Sequence, residues 1–206
     1  MDTILSYTKQ KVKALFDMHP DAVHGIDHAM RVAGHAEYIA REEGEDEGMS
    51  VLAGLLHDIG RAIEKYPEKF SQYDATKTHH ELSYDMLRDW FREDNFFDVL
   101  TDTQKLELLY AVRYHWNDEA NEYVSAYILR DADKIDGLGE IGFTRAKTHH
   151  GHDPKQFHMD IRLRYEWIYH FKTDTAKRMF AEGDLMAPFE AERTGILTEG
   201  IKTVEL

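Results

Sequence analysis

Apolar residues recur along this chain every three or four positions, the interval of a helix face rather than of a strand. Ile4, Leu5, Thr8, Val12, Leu15 and Phe16 form the first stripe. His19-Pro20 closes it, because a residue before proline avoids the helical region. A second stripe, Met30, Ala33, Ala36, Ile39 and Ala40, predicts a helix over 26–43, with His28 near its start and Arg31 on nearly the same face. Gly48 and Ser50 open an apolar helix over 51–59, with Gly60 as its stop. The mixed segment 62–77, with Pro67, predicts a loop or short helix of the kind that covers a site. Thr78 caps a helix of Leu82, Met86, Leu87, Trp90 and Phe91, on which His79 and Ser83 share one face and His80 and Tyr84 another. Thr101 and Gln104 have the spacing of a capping box, ahead of a helix of Leu106, Leu109, Tyr110 and His115 that ends near 116–118. In 121–136, Ile128, Asp131, Ala132 and Ile135 fall on one face, which points Asp131 toward the core; Gly137 and Gly139 break that helix. Residues 145–153 predict a loop with His149, His150 and His152, Pro154 opens the next helix, and 161–182 reads as one long helix. Apart from a hint near Thr203, nothing alternates with strand period. The expected fold is all-α, a single domain over 1–206 with its core at about 20–140 and a helical C-terminal portion at about 141–206.

Composition narrows the partners. The 206 residues carry 25 basic and 39 acidic side chains, a net charge of −14. Such a surface repels a nucleic-acid backbone, so long nucleic acid is not an expected partner. A small anionic substrate would need local cations or a metal to overcome the field. With no cysteine, the chain has neither disulfides nor thiolate ligands, which fits the cytoplasm. The first residues lack the charged-then-apolar pattern of a signal peptide, and no apolar run approaches membrane-spanning length. The apolar face of 161–180 could serve a homodimer as well as an internal core.

One stretch stands out, Leu52-Ala-Gly-Leu-Leu-His57-Asp58-Ile-Gly60. A carboxylate and an imidazole inside an apolar run need either an ion-pair partner or a metal. The candidates to join them are His28, His79, His80, His115 and Asp131.

The order of His28 in His24-Gly-Ile-Asp-His28, the doublet His57-Asp58, and Asp131 in Asp131-Ala-Asp-Lys-Ile-Asp136 resembles the HD-domain superfamily of metal-dependent phosphohydrolases, over residues from about 20 to 185. The resemblance implies a helical cage in which His28, His57, Asp58 and Asp131 bind one divalent ion. Two imidazoles and two carboxylates suit Mn, Fe, Ni, Co, Zn or Mg. It also implies hydrolysis of a small phosphoester, a nucleotide or related phosphate, by water that the ion activates. Dinuclear relatives hold a second metal with histidines at places matched here by His79 and His115. Those relatives carry a His-His pair where this chain has His115-Trp116, which removes one ligand. His79 and His115 therefore stand either as ligands of a second metal or as groups that bind phosphate or protonate a leaving oxygen. Arg31, Arg61 and Lys134 are candidate phosphate binders, with salt bridges as the alternative. Asp133 reads as a surface charge rather than as a residue orienting a ligand, and the histidines at 149–152 as solvated. Trp90, Phe91, Phe96 and Phe97 read as core. Two other functions fit the same pattern: a di-iron oxygenase of the same fold, which would need a complete second iron site, and a non-enzymatic nucleotide-binding regulator that keeps the metal cage.

Overall fold

The computed structural model describes the backbone of residues 1–204 and the side chains of residues 1–195, among which there are eleven α-helices and no strand. The first helix, α1 (Asp2–Met18), buries Ile4, Thr8, Val12, Leu15 and Phe16, the stripe its periodicity marks. Next, α2 (Ile26–Glu43) ends at Gly44, whose φ of +76° turns the chain back in the left-handed region. Asp46 then starts α3 (Glu47–Leu56) by accepting the Met49 amide at 3.0 Å. This helix stops three residues earlier than the sequence pattern suggests. His57 and Asp58 lie in the turn beyond its last residue, before α4 (Arg61–Lys65).

The fifth helix, α5 (His79–Glu93), is capped by Thr78 and Glu81, whose carboxylate accepts the Thr78 amide at 3.0 Å. The sixth, α6 (Asp102–Tyr114), has the reciprocal Thr101–Gln104 box. After α7 (Val124–Asp136) come α8 (Gly139–His150), α9 (Pro154–Trp167), α10 (Asp174–Glu182) and α11 (Ala187–Val204). Three expectations change here. The loop at 145–153 is largely helix, so His149 and His150 end α8 and only His152 lies beyond it. The long helix at 161–182 is broken by a short 3₁₀ turn and extended residues, and Thr173 restarts it by accepting the Ala176 amide at 3.1 Å. The segment around Thr203 belongs to α11, not to a strand.

Helices α2, α3 and α7 pack together at the centre, α1 and α6 flank α3, α5 lies on α6, and α10 closes over α2 and α7. The α2–α3 crossing is very close at Gly54, where a Cβ would come within 2.7 Å of the Ala33 Cα. A side chain at 54 would push the two helices apart, and with them His28 and His57. Ile161, Phe171 and Ala176 are buried within the chain. No helix among the described residues is long and apolar enough to cross a membrane.

A buried histidine and aspartate cluster

Four histidines converge on Asp58. Its Oδ2 lies 3.6 Å from His57 Nε2 and 3.7 Å from His28 Nε2. Its Oδ1 lies 3.6 Å from His79 Nε2 and 3.9 Å from His115 Nε2. Each oxygen thus faces a pair of imidazoles. His28 comes from the first turn of α2, His79 from the first residue of α5 and His115 from the residue that ends α6. His28, His57, Asp58 and His115 are all buried, while His79 is partly open. His80, the other candidate on α5, turns away toward Thr78 and Trp116.

The tautomers follow from the partners. His28 Nδ1–H donates to Asp136 Oδ2 at 2.7 Å, His57 Nδ1–H to the Gly54 carbonyl at 2.8 Å, and His115 Nδ1–H to the Val112 carbonyl at 2.8 Å. These acceptors cannot donate, so each neutral ring keeps its Nε2 lone pair free. His28 Nε2 and His57 Nε2 then stand 3.1 Å apart, lone pair against lone pair, in the core. Asp58 Oδ1 is buried with no hydrogen-bond partner. Two imidazole lone pairs aimed at each other beside a carboxylate are a donor set that a cation satisfies. His28, His57 and Asp58 form one such group, and Asp58, His79 and His115 another.

Asp131 does not join them. Its carboxylate accepts the Lys172 amide at 3.0 and 3.1 Å and the Thr173 amide and hydroxyl at 2.7 Å each. It faces the core, as its helical phase indicates, but it is consumed in anchoring the start of α10. The carboxylate on α7 that reaches the cluster is Asp133, with Oδ1 3.4 Å from His28 Nε2 and 4.0 Å from His57 Nε2. Positions two apart on a helix point about 200° from each other, so the two cannot share a site. A signal was present in the sequence: Arg130, Asp133, Lys134 and Gly137 repeat at helical spacing, and this polar stripe is the face of α7 that lines the cavity.

Arg31 is also corrected. Its Nε and Nη2 donate to Asp136 at 2.6 and 3.2 Å, and it does not line the cavity above the cluster. Asp136 further accepts Arg145 Nη1 at 2.6 Å. One buried carboxylate thereby orients His28 from behind, as carboxylates do for ligating histidines. Burial alone would raise its pKa, but the His28 hydrogen bond and the Arg31 and Arg145 guanidiniums hold it below the usual carboxylate range. Lys134 does line the cavity, where its ammonium is paired with Asp118. Arg61 stands with Nε 3.6 Å from Asp58 Oδ2 and without a hydrogen-bond acceptor for that buried N–H.

The cavity over the cluster measures about 400 Å³. Arg61, Arg130, Lys134, Arg145 and Arg164 line it against Asp58, Asp118, Asp133 and Asp160, with His24, His149 and His150 on one wall. Five cations against four carboxylates reverse the bias of the acidic chain. Burial pushes the Asp58 carboxyl up, yet His57, Arg61 and His79 hold it well below the ordinary value. Asp133 is likewise held down, by His57 and His28 against burial. Burial depresses His79 to about 3 and, with His57 adding to it, His115 to about 4.

Those depressed imidazoles set a pH dependence. The unfolded chain takes up a proton at His115 near pH 6.5 while the folded chain waits until about pH 4. Stability from this group is therefore complete above about pH 6.5 and is lost as pH falls toward 4. Urea unfolding of metal-free protein is expected to lose about 2–3 kcal/mol to His115 alone between pH 7 and 4.5, and His115→Gln is expected to flatten that slope. An equal slope in the variant would show that His115 titrates freely.

The HD domain family model matches residues 25–138, more than half of the chain. Curated relatives include a "Ribonuclease Y" of Alkaliphilus metalliredigens, 27% identical over 110 residues, with 53% of this chain matching 19% of that one. A "Ribonuclease Y 2" of Pediococcus pentosaceus is 30% identical over 129 residues, 61% of this chain and 21% of that one. A "Probable endonuclease 4" of Bacillus mycoides is 25% identical over 179 residues, 82% of this chain and 55% of that one. The chain thus spans about a fifth of the length of the first two and about half of the third. Among solved structures, Bacillus subtilis YpgQ in complex with ADP superposes with a TM-score of 0.66 at 18% identity over 99% of this chain and 98% of that one. A predicted HD superfamily hydrolase from an uncultured Thermotogales bacterium gives 0.64 at 23% over 94% and 91%. At these identities the likeness is one of fold.

Proposed function

Because the chain belongs to the HD domain family, whose members include metal-dependent phosphohydrolases, we propose that it hydrolyses a small phosphoester, a nucleotide or related phosphate, at a divalent ion held by His28, His57, Asp58 and Asp133. The observation that carries this reading is the facing pair of His28 and His57 Nε2 lone pairs, 3.1 Å apart in the core beside Asp58. An ion there would supply Lewis-acid polarisation of a phosphoryl oxygen and acidify a water molecule.

The protein's own groups do the rest. Asp58, whose Oδ2 faces His28 and His57 and whose Oδ1 faces His79 and His115, would hold the ion together with the first pair and help direct the nucleophile. Arg61, with an unpaired N–H directed beside Asp58, and Lys134 neutralise charge that builds on the phosphoryl oxygens. His115 and His79 are neutral at pH 7 because burial depresses both. A neutral imidazole accepts a proton more readily than it gives one, so in this state each offers a lone pair, to an ion or to a proton. Either would serve as acid for the leaving oxygen only once protonated by the incoming substrate. A second ion between Asp58, His79 and His115 fits the same three groups.

A small substrate suits the 400 Å³ cavity and the −14 net charge, and the bound ADP of Bacillus subtilis YpgQ points the same way. The nuclease names of the curated relatives favour a polymeric phosphodiester instead. Elemental analysis of the purified chain, followed by hydrolysis assays with mono-, di- and triphosphate nucleotides, sugar phosphates and a single-stranded oligoribonucleotide, separates these outcomes. No turnover of any phosphoester by metal-loaded protein would overturn the proposal, and two irons per chain with a mixed-valence spectrum would favour oxygen chemistry.

The exchange of Asp131 for Asp133 has its own test. Asp133→Ala is expected to lower metal affinity by at least about tenfold while leaving the thermal midpoint of metal-free protein within a few degrees. Asp131→Ala leaves the Lys172 and Thr173 amides without their acceptor and is expected to destabilise by about 1–3 kcal/mol with metal binding intact. The reverse pattern, read by calorimetric metal titration and thermal melts, would restore Asp131 as a ligand.

A further inference from the structure

The cavity mouth holds two indoles that phosphoryl chemistry does not need. Trp116 follows His115 directly, lines the cavity, and is 59% exposed. Its ring lies against the His80 imidazole, with centroids 5.3 Å apart and 32° between planes, and His80 is itself fixed by a 2.8 Å hydrogen bond with Thr78 Oγ1. The indole is therefore backed on one side and open on the other. Trp167, from the last turn of α9, lines the same cavity. It is backed by the Arg164 guanidinium, 4.8 Å from its centroid, which is tied in turn to Asp160 at 2.8 Å. It also packs over Gly137, where a Cβ would meet the ring at 2.5 Å.

Both side chains are thus flat apolar planes steadied from behind by another flat group, on different helices, above a polar floor. Such a plane offers little to a phosphate but stacks on any planar ring, and its rigidity spares the entropy of ordering it. We propose that Trp116 is the specificity-determining residue of this site: it stacks on a planar aromatic ring carried by the phosphoester, with Trp167 as the second wall. The inference rests on the phosphohydrolase reading for the phosphate end of the ligand and adds the chemistry of the other end.

The test uses the full chain and three probes: adenosine 5′-monophosphate, phenyl phosphate and ribose 5-phosphate. Binding to metal-free protein is read by calorimetry, and kcat/KM by phosphate release after metal loading. Trp116→Ala and Trp116→Leu, the latter keeping apolar bulk without a ring, are expected to weaken a ring-bearing probe by about tenfold or more. Ribose 5-phosphate should stay within about twofold, and Trp116→Phe should retain most of the effect. Dependence seen with adenosine monophosphate alone assigns the ring to a nucleobase beyond a sugar; dependence seen with phenyl phosphate assigns it to a directly attached aryl group. Equal losses on all three probes, or no loss on any, would overturn the stacking role. Should wild-type protein turn over none of the three probes, calorimetry still decides the stacking, and the phosphohydrolase reading stands or falls on the wider phosphoester panel.

Discussion

Asp58→Asn is expected to lower phosphoester turnover on the order of 10³-fold and to strip the protein of its metal, while changing the stability of metal-free protein little. Asp58 alone belongs to both donor groups, with Oδ2 toward His28 and His57 and Oδ1 toward His79 and His115. Asparagine keeps the shape but removes the charge, and its amide nitrogen has no lone pair to offer one of the two pairs. The fold itself has less at stake. Arg61 keeps Glu64 at 2.8 Å, and the two histidine pairs keep the Nδ1 hydrogen bonds that orient His28, His57 and His115. Plasma emission analysis, steady-state turnover and a thermal melt on one preparation separate these effects. Metal retained at wild-type stoichiometry with turnover within tenfold would remove Asp58 from the centre of the chemistry.

Asp136→Ala is expected to be the most destabilising single change near the site, by about 3–5 kcal/mol, which in a chain of this size lowers the melting midpoint by roughly 10 °C. The carboxylate is 3% exposed and accepts four hydrogen bonds from three side chains, His28, Arg31 and Arg145. Its loss leaves two guanidiniums facing a buried hole. It also frees His28 Nδ1, so the imidazole can move its proton to Nε2 and lose the lone pair that points at His57. Metal affinity should fall a further 10- to 100-fold in the fraction that remains folded. Asp136→Asn, which keeps an oxygen acceptor, should recover part of the affinity and less of the stability. If the Ala variant melts low but binds metal as tightly as wild type, Asp136 is a structural anion and does not set the His28 tautomer.

These experiments bear on residues of unequal visibility. The α1 stripe, the cap at Thr78, the capping box at Thr101 and the His57-Asp58 doublet could be read directly, because each depends on neighbours within one helical turn. The bundle of α2, α3 and α7 follows from such stripes. Trp116 was visible as a departure from the histidine that dinuclear relatives carry, but its backing by His80 was not. Arg145 and Arg164 gave no local signal at all, since each gains its place at the cavity from an element distant in sequence.

What the chain's order of residues determined by itself was the helical class, the phase of most helices and, through the family resemblance, five of the cluster's side chains, His28, His57, Asp58, His79 and His115. The first two are set by the period of apolar positions and by short-range hydrogen bonding. Only the folded arrangement decided that Asp133 and not Asp131 meets the histidines, that Arg31 serves Asp136, and that 161–182 breaks at Thr173. Periodicity says which side of a helix faces inward but not what waits there. Asp131 met the amides of Lys172 and Thr173, some forty residues on, and a buried carboxylate goes to whichever donors the packing of other helices brings to it.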